Sequence, residues 1–497
     1  MRFLPIFSLL LGACLGSTPG PVLPPNIYAY TLANGLRVIV AVRPELQLAA
    51  VNLSVDLGSL DDPIGQSGIA HMLEHTTLSG ASDVGSLDPK AEAIALAELD
   101  RANRAVDQAK SNSDPDSATL ADLERWFDQA QRAAQATAED REVIGSRLEA
   151  HGAVGLNATT SADVTQFFTS IPTAEVNLWL SLEAARLRRP IFRRYYLERN
   201  VVLREIAGLT GGKPTCQELL LRDIFPGSPL AQSMAGDPKE LSKIDRTAAL
   251  AYFHRFYRPE RMVIAVVGNL QPEVIRVACE KYFGDWRPEA TADTPRSRSS
   301  HISPLTGLRT RSCNSVRNPL VLMAFPQDTT STAQLAAADV LAELINSEDL
   351  SPLNRRLVES QMIAWNIEAS PNNPSQKMPG VFLIHLYGVS GVAHQHLIDE
   401  AQEALRELSS LPDADIQGGI FAAEMRIASQ LDDPPSLASL LAANQAVQGN
   451  WEASFERLEA LRSLSIEAVR MAATRIFGSR PDVSKAVVED EAGEEHR

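Results

Sequence analysis

Two histidines and a glutamate lie within five consecutive residues, at His71, Glu74 and His75. On an α-helix each residue advances by about 100°, so the two histidines would share one face with Glu74 beside them. Two imidazoles on one helical face can hold a zinc ion, and a neighbouring carboxylate can accept a proton from water. We therefore expect a zinc site here. A chance grouping among the nine histidines of the chain is the alternative.

A second pair of carboxylates lies on a later stretch, predicted to be helical from about 194 to 209. Glu198 and Glu205 are seven residues apart, which places them within about 20° of each other on a helix. A carboxylate on the apolar side of such a helix is costly unless it is paired or bound to a metal. Two solvent-facing glutamates are the simpler interpretation when the stretch is considered alone.

Together the two segments resemble the insulinase/pitrilysin (inverzincin) metallopeptidases, in particular the half-size bacterial members similar to processing peptidases. The stretch 71–75 matches the His-x-x-Glu-His helix of that family, and 198–205 resembles its segment Glu-Arg-x-x-Val-x-x-Glu. The resemblance implies one Zn²⁺ per chain, with the metal ligands His71, His75 and Glu205. It also implies two catalytic carboxylates: Glu74 as the base, and Glu198 as a second carboxylate that does not bind the metal.

The segment 156–160, Leu-Asn-Ala-Thr-Thr, resembles the edge strand beside the zinc site in that family. The resemblance implies that Asn157, Ala158 and Thr159 bind the substrate by strand addition. Because the family encloses its substrate between two halves, short or unfolded peptides are the expected substrates. The implied function is that of a zinc-dependent endopeptidase. The alternative is a non-catalytic, peptide-binding or assembly subunit of the same family.

The elements that must hold these residues alternate between strand and helix patterns. Asn-Gly at 34–35 between two apolar runs predicts a hairpin, and a strand over 49–57 leads through a polar loop to the histidine helix. Residues 88–148 are rich in Ala, Glu and Gln at helical spacing, with a break at 112–116, which predicts a two-helix hairpin. This hairpin also accounts for the long separation of the two zinc-binding segments. A structural insertion is favoured over a substrate gate.

The expected fold class is α+β, with two homologous domains, each a mainly antiparallel sheet covered by helices, and a helical-hairpin insertion in the first. A weak internal repeat, with residues from 241 and from 461 aligned at an offset of 220, supports the two domains. The expected divisions are a lipoprotein-type signal peptide at 1–14, a tether at 15–25, a catalytic zinc peptidase domain at 26–286 with its insertion at 86–148, a linker at 287–303, a non-catalytic homologous domain at 304–490 and an acidic tail at 491–497.

The first residues predict export. Arg2 precedes a short apolar run that ends in small residues, as in a secretory signal, and the run is too short to span a bilayer. Residues 11–14, Leu-Gly-Ala-Cys, resemble a bacterial lipobox, which implies lipidation at Cys14 and a periplasmic location. Leu15 rather than Asp follows, which favours an outer-membrane lipoprotein. A plain secreted protein cleaved nearby is the alternative.

The composition of the chain argues against some classes of binding partner. The net charge of −16 argues against binding nucleic acid and against electrostatic docking on anionic lipid, so a lipid anchor is the expected membrane contact. The other cysteines, Cys216, Cys279 and Cys313, lack the spacing of a metal site. One disulfide and buried free thiols both remain open for them.

The second half of the chain contains no His-x-x-Glu-His motif. Where full-length family members supply an Arg and a Tyr that hold the substrate, this chain has Val358 and Trp365. The resemblance therefore implies a dimer, with peptide bound between a zinc-binding chain and a partner. We expect a heterodimer with a related zinc-less subunit that carries the Arg and Tyr, and a homodimer is the alternative.

Overall fold

The computed structural model describes residues 26–112, 116–139, 143–210, 214–288, 319–327 and 331–478. The predicted signal peptide with Cys14, the tether, most of the linker, Cys313 and the acidic tail lie outside these ranges. Across the described ranges, every helix is too short or too polar to cross a membrane. We refer to residues 26–288 as the first half and to residues 319–478 as the second half.

The described strands form a six-stranded sheet in the first half and a three-stranded sheet in the second. The strands are β1 Ile27–Thr31, β2 Arg37–Val42, β3 Leu48–Val55, β4 Val154–Thr160, β5 Thr165–Pro172, β6 Met262–Gly268, β7 Leu320–Gln327, β8 Ala364–Asn373 and β9 Gly380–Gly388. The chain is thus a mixture of helices and mainly antiparallel sheets.

Helices make up most of the remaining described residues. They are α1 Ile69–Thr77, α2 Pro89–Lys110, α3 Ser117–Gln135, α4 Val143–Ala150, α5 Val176–Arg188, α6 Tyr195–Thr210, α7 Cys216–Ile224, α8 Pro238–Leu241, α9 Arg246–Phe256, α10 Pro272–Phe283, α11 Thr332–Asn346, α12 His394–Glu407, α13 Asp413–Asp432, α14 Pro434–Gln448, α15 Ala453–Arg462 and α16 Ile466–Phe477. A short π-helix, Asn354–Ser360, precedes β8.

The first sheet has the order β1-β2-β6-β3-β5-β4, so β4 lies at one edge. The predicted hairpin joins β1 to β2, and every neighbouring pair is antiparallel except β2 and β6. The central strand β6 is buried along its whole length. Burial on both faces explains its continuous apolar sequence, since alternation with polar residues is expected only where one face meets water.

The two faces of this sheet are covered differently. On one face, Val51 and Leu53 pack with Met72 of α1 and Trp179 of α5. On the other face, Ile39 and other small apolar residues pack with α14, which belongs to the second half. A third apolar cluster joins α7 to β7 and β9. The two halves therefore share buried apolar surface, which is the main stabilising contribution in such contacts.

The stretch predicted as a two-helix hairpin holds three helices: α2, α3 and the shorter α4. The first two pack against each other, and Trp126 Nε1 of α3 donates to Glu98 Oε1 of α2 at 2.9 Å. A third helix in this stretch was not part of that prediction, which treated the stretch as two helices. The structure instead breaks the helical run after α3 and forms α4 beside the candidate site.

Two buried ion pairs attach α2 to the rest of the first half. Arg193 Nε lies 2.7 Å from Glu92 Oε1, and both side chains are almost fully buried. The same guanidinium donates to three backbone carbonyls of the loop that follows α1. Arg246 NH2 lies 2.6 Å from Asp100 Oδ2. Because buried charges are costly without partners, these pairs fix the helical stretch in one position.

Of the described cysteines, Cys216 is disulfide-bonded and Cys279 is a buried free thiol. Burial raises the pKa of the Cys279 thiol to about 12. The thiolate is the reactive form, so Cys279 is a packing residue rather than a nucleophile.

Candidate metal centre

The helix with the histidines, α1, begins at Gly68, whose φ is +95°. The carboxylate of Asp62 accepts hydrogen bonds from Gly68 N at 2.6 Å and from Ala70 N at 3.0 Å. A carboxylate in this position satisfies free N–H groups and complements the positive end of the helix dipole. Met72 and Leu73 are fully buried, so the opposite side of α1, with both histidines and Glu74, turns toward the cleft.

Helix α6 supplies the remaining carboxylates. Val202 and Ile206 are buried and fix the rotation of the helix about its axis. Glu205 Oε2 then lies 3.7 Å from His71 Nε2 and 3.3 Å from His75 Nε2. The side chain of Glu205 is 43% exposed, whereas those of the histidines are 17% and 19% exposed. These three residues, called the trio below, are open to solvent on the Glu205 side.

The trio fits a zinc ion. In a tetrahedral site with metal–ligand distances of about 2.0–2.1 Å, neighbouring ligand atoms are about 3.3–3.4 Å apart. One ligand atom from each of His71, His75 and Glu205 can be chosen so that all three lie within 4.8 Å of one another. A His₂Glu set with an open side matches catalytic rather than structural zinc sites.

A backbone carbonyl sets the orientation of His71. Its Nδ1 lies 3.0 Å from the oxygen of Ala235, which leaves Nε2 facing Glu205. Such an outer hydrogen bond selects the tautomer in which the other nitrogen is free for a metal. The carbonyl comes this close because two glycine backbones touch. A Cβ on Gly236, whose φ is +106°, would lie 2.5 Å from Gly68 Cα.

Glu198 lies behind His75. Its Oε2 is 3.9 Å from His75 Nδ1, and its Oε1 is 3.2 Å from Arg194 Nε. Burial lowers the pKa of His75, but Glu198, Glu205 and Glu74 together raise it above its ordinary value. Burial raises the pKa of Glu198, but His75 and Arg194 lower it below its ordinary value. Glu198 is therefore a charged neighbour of His75 on the side away from Glu205.

Glu74 and Glu198 line a cleft of about 260 Å³ next to the trio. The edge strand β4 contributes Asn157 and Ala158, and α4 contributes Glu149. Asn157 Oδ1 accepts a hydrogen bond from Ala158 N at 2.9 Å, which shows that this N–H points away from the ladder with β5. Thr159, the third residue predicted to bind substrate, is exposed on the same strand but lies outside the cleft wall.

Sequence reasoning missed four residues around the site. The carbonyl of Ala235 carries no side-chain signal in the sequence. Asp62 lies in the polar loop before α1, where a helix-capping carboxylate is common. Arg194 and Glu149 could not have been identified, because their roles depend on how α6 and α4 meet α1.

The two positions noted in the second half are separated from the trio in sequence and differ in exposure. Val358 is partly buried against the apolar core. Trp365 is 55% exposed, and its ring centroid lies 5.1 Å from that of Tyr387. The described residues of the second half contain no group of three or more His, Cys, Asp or Glu side chains able to hold a metal.

Comparison with known proteins supports the family resemblance. Residues 243–419 match the family model described as the peptidase M16 inactive domain. A Bacillus subtilis protein named as an uncharacterised zinc protease is 21% identical over 457 residues, which cover 91% of this chain and 96% of its own length. These matches support the insulinase/pitrilysin metallopeptidase family. The matched residues 243–419 lie after the trio, so the word inactive in that description refers to a part of the chain without the candidate ligands.

A further relative and a solved structure are also similar to this chain. The mitochondrial-processing peptidase subunit beta of Caenorhabditis elegans is 23% identical over 270 residues, which cover 54% of this chain and 46% of its own length. The crystal structure of a protease from Helicobacter pylori superposes with a TM-score of 0.74 at 18% identity, covering 94% of this chain and 99% of the other. At this identity the superposition shows a shared fold.

Proposed function

We propose that this chain is a zinc-dependent endopeptidase for short or unfolded peptides and the catalytic subunit of a dimer. The observation that carries the proposal is the trio His71, His75 and Glu205, which comes from two helices and has zinc-compatible separations. Relatives named as zinc proteases support the metal. A carboxylate, Glu74, lies in the adjoining cleft.

The side chains divide the work as follows. A zinc ion held by the trio would supply a Lewis acid that polarises the scissile carbonyl and lowers the pKa of water. Glu74, half-buried in the cleft, accepts the proton of the attacking water and returns it to the leaving amine. Glu198 holds the imidazole of His75 from its Nδ1 side. His75 and Arg194 together lower the pKa of Glu198, which favours its charged form in this role.

The edge strand β4 would bind the peptide. Its outer side has no strand neighbour within the described sheet, so an extended peptide can add to it through backbone hydrogen bonds. Ala158 N is occupied by Asn157 Oδ1. Peptide binding therefore requires the Asn157 side chain to rotate away. Recognition of this kind depends on backbone more than on sequence, which suits unfolded substrates.

We propose a heterodimer with a related subunit that lacks the zinc ligands, with a homodimer as the alternative. Val358 and Trp365 replace the Arg and Tyr that would hold the substrate, so a partner must supply them. One relative is named as a subunit, the processing peptidase subunit beta. Co-purification of the tagged chain from its own cells, followed by peptide assays of the chain alone and of the pair, tests this. Full activity of the isolated chain would exclude the heterodimer.

We also propose that the two halves are homologous domains and that the protein is an exported lipoprotein. The first proposal rests on the sheet in each half and on the repeat at an offset of 220 residues. The second rests on the sequence around Cys14. Mass spectrometry of the mature N-terminus tests it, because lipidated Cys14 as the first residue and an unmodified fragment have different masses.

Two measurements test the catalytic proposal. Metal analysis of the purified protein should find one zinc per chain, and Glu74→Gln should retain that zinc while losing peptide cleavage. Glu149→Gln is the matched control, since it also removes a carboxylate from the cleft wall but not the base. Absence of stoichiometric zinc would favour a non-catalytic peptide-binding subunit. Cleavage by Glu74→Gln at the wild-type rate would eliminate Glu74 as the base.

A further inference from the structure

A loop of the second half, residues 375–378, is bonded to the turn between β4 and β5. Ser375 Oγ donates to Asp163 Oδ1 at 2.7 Å, and Gln376 N donates to Asp163 Oδ2 at 2.6 Å. Both Asp163 and Ser375 are buried. Each oxygen of the carboxylate thus accepts a hydrogen bond from the other half of the molecule.

Lys377 strengthens this contact. Its side chain is only 4% exposed, and its Nζ donates to the backbone oxygen of Asp163 at 2.6 Å. The same ammonium pairs with the carboxylate of Asp56, directly after β3. Bonds that involve charged groups are about twice as strong as neutral ones, and a buried ammonium needs such partners. The loop therefore holds the side chain and the backbone of the turn together.

The turn between β4 and β5 contacts the segment that leads to α1 and also adjoins the strand proposed to bind peptide. The oxygens of Ser161 and Ala162 accept hydrogen bonds from Ser59 N and Leu60 N, each at 3.0 Å. That segment continues to Asp62, the residue that caps α1. On its other side the turn directly follows β4, the edge strand proposed to bind peptide. A displacement of the turn would change the distance between the peptide-binding strand and the zinc-binding helix.

We propose that Asp163 is a positioning residue, through which the second half fixes β4 relative to α1. The inference rests on the proposed function, because β4 matters to catalysis only if it binds peptide there. Asp163 itself touches neither peptide nor metal. The second half would then contribute to the reaction of the first half, although its described residues hold no metal-binding group of their own.

Three variants test the proposal. Asp163→Asn removes the negative charge and places an amide NH₂ group, itself a donor, opposite the donors Ser375 Oγ and Gln376 N. Ser375→Ala removes one hydrogen bond but leaves the carboxylate, and so serves if Asp163→Asn does not fold. Ser439→Ala is the matched control, since it removes a different hydrogen bond between the halves, from Asn52 Nδ2 at 3.1 Å, that involves neither Asp163 nor the 375–378 loop.

Hydrogen–deuterium exchange provides a readout independent of catalysis. We expect amides at 154–164 and 58–62 to exchange on the order of tenfold faster in Asp163→Asn, because a buried partner is left unsatisfied. Ser375→Ala should give a smaller change in the same segments, and Ser439→Ala none there. Wild-type exchange at 154–164 in both test variants would overturn the proposal, whether or not the protein proves to be a peptidase.

Kinetics separate positioning from general destabilisation. For a peptide long enough to pair along the seven residues of β4, KM should rise about tenfold in Asp163→Asn, as expected when uniform binding is lost. For a short reporter peptide confined to the scissile bond, kcat/KM should change little, and bound zinc should remain stoichiometric. Equal losses for both peptides, matched by the Ser439→Ala control, would show that Asp163 is merely structural.

Discussion

Replacing Gly236 with alanine should weaken zinc binding without touching a ligand. The new Cβ would lie 2.5 Å from Gly68 Cα, and backbone on both sides leaves no flexible group to move aside. A φ of +106° adds roughly 1–2 kcal/mol of strain for a residue with a Cβ. Overpacking adds about 1–3 kcal/mol. The free energy of unfolding should therefore fall by about 2–5 kcal/mol.

The effect on zinc follows from the same contact. Relief of the clash separates the two backbones and moves the carbonyl of Ala235 away from His71 Nδ1. Loss of such an outer hydrogen bond typically costs 10- to 100-fold in metal affinity, that is about 1.4–2.7 kcal/mol. Competition with a zinc chelator measures this, and denaturant unfolding of the zinc-free protein measures the stability.

Gly227→Ala is the control for this experiment. Gly227 also has a positive φ, +74°, but a Cβ there would meet nothing within 4 Å. The Gly227→Ala variant should lose only the stability that backbone strain costs, and its zinc affinity should equal that of the wild type. The reasoning is refuted if Gly236→Ala binds zinc as tightly as the wild type and loses no more stability than Gly227→Ala.

Three further predictions concern the ligands and their support. Glu205→Gln should lower zinc affinity by more than about 100-fold, beyond the range of outer-sphere changes, as read by chelator competition; unchanged affinity would remove Glu205 from the site. Because the pKa of His75 is raised in the folded state, protonated His75 stabilises the zinc-free protein. This stabilisation is fully present below the ordinary pKa of 6.5 and is lost as the pH rises through the folded-state pKa. Zinc affinity should accordingly begin to fall at a pH above 6.5 on acidification, and His75→Gln should remove that pH dependence of zinc-free stability. Glu92→Gln should cost about 3–5 kcal/mol, because it leaves the buried Arg193 uncompensated, whereas a loss below about 1 kcal/mol in denaturant unfolding would mean that water reaches the pair.

The candidate site could be predicted from the sequence because its residues form patterns that are local or repeat at helical spacing. His71 and His75 share a helical face by geometry alone, and Glu205 was assigned through the resemblance to a family. The structure brings these three together across 130 residues of chain. The hairpin of β1 and β2 was also predicted, and the ends of β3 were predicted within one or two residues, since apolar runs bounded by turn residues define these strands.

The remaining features could not be predicted because they depend on contacts distant in sequence. No local pattern indicates that α14 of the second half covers the first sheet, or that Asp163 meets Ser375. The ion pair of Arg193 with Glu92 joins residues whose types are common on any helix surface. Whether such a pair is buried is decided by packing, which a pattern of residue types does not describe.

The position of β6 has a consequence for how the protein is made. This strand lies between β2 and β3, yet it follows them by some 200 residues. Until Met262–Gly268 leaves the ribosome, the first sheet exists only as two separate pieces, β1 with β2 and β3 with β5 and β4. Each piece then exposes an apolar edge, the kind of surface that chaperones cover. All three candidate ligands are synthesised earlier, so the metal centre can reach its final geometry only after the last strand of its sheet has been inserted.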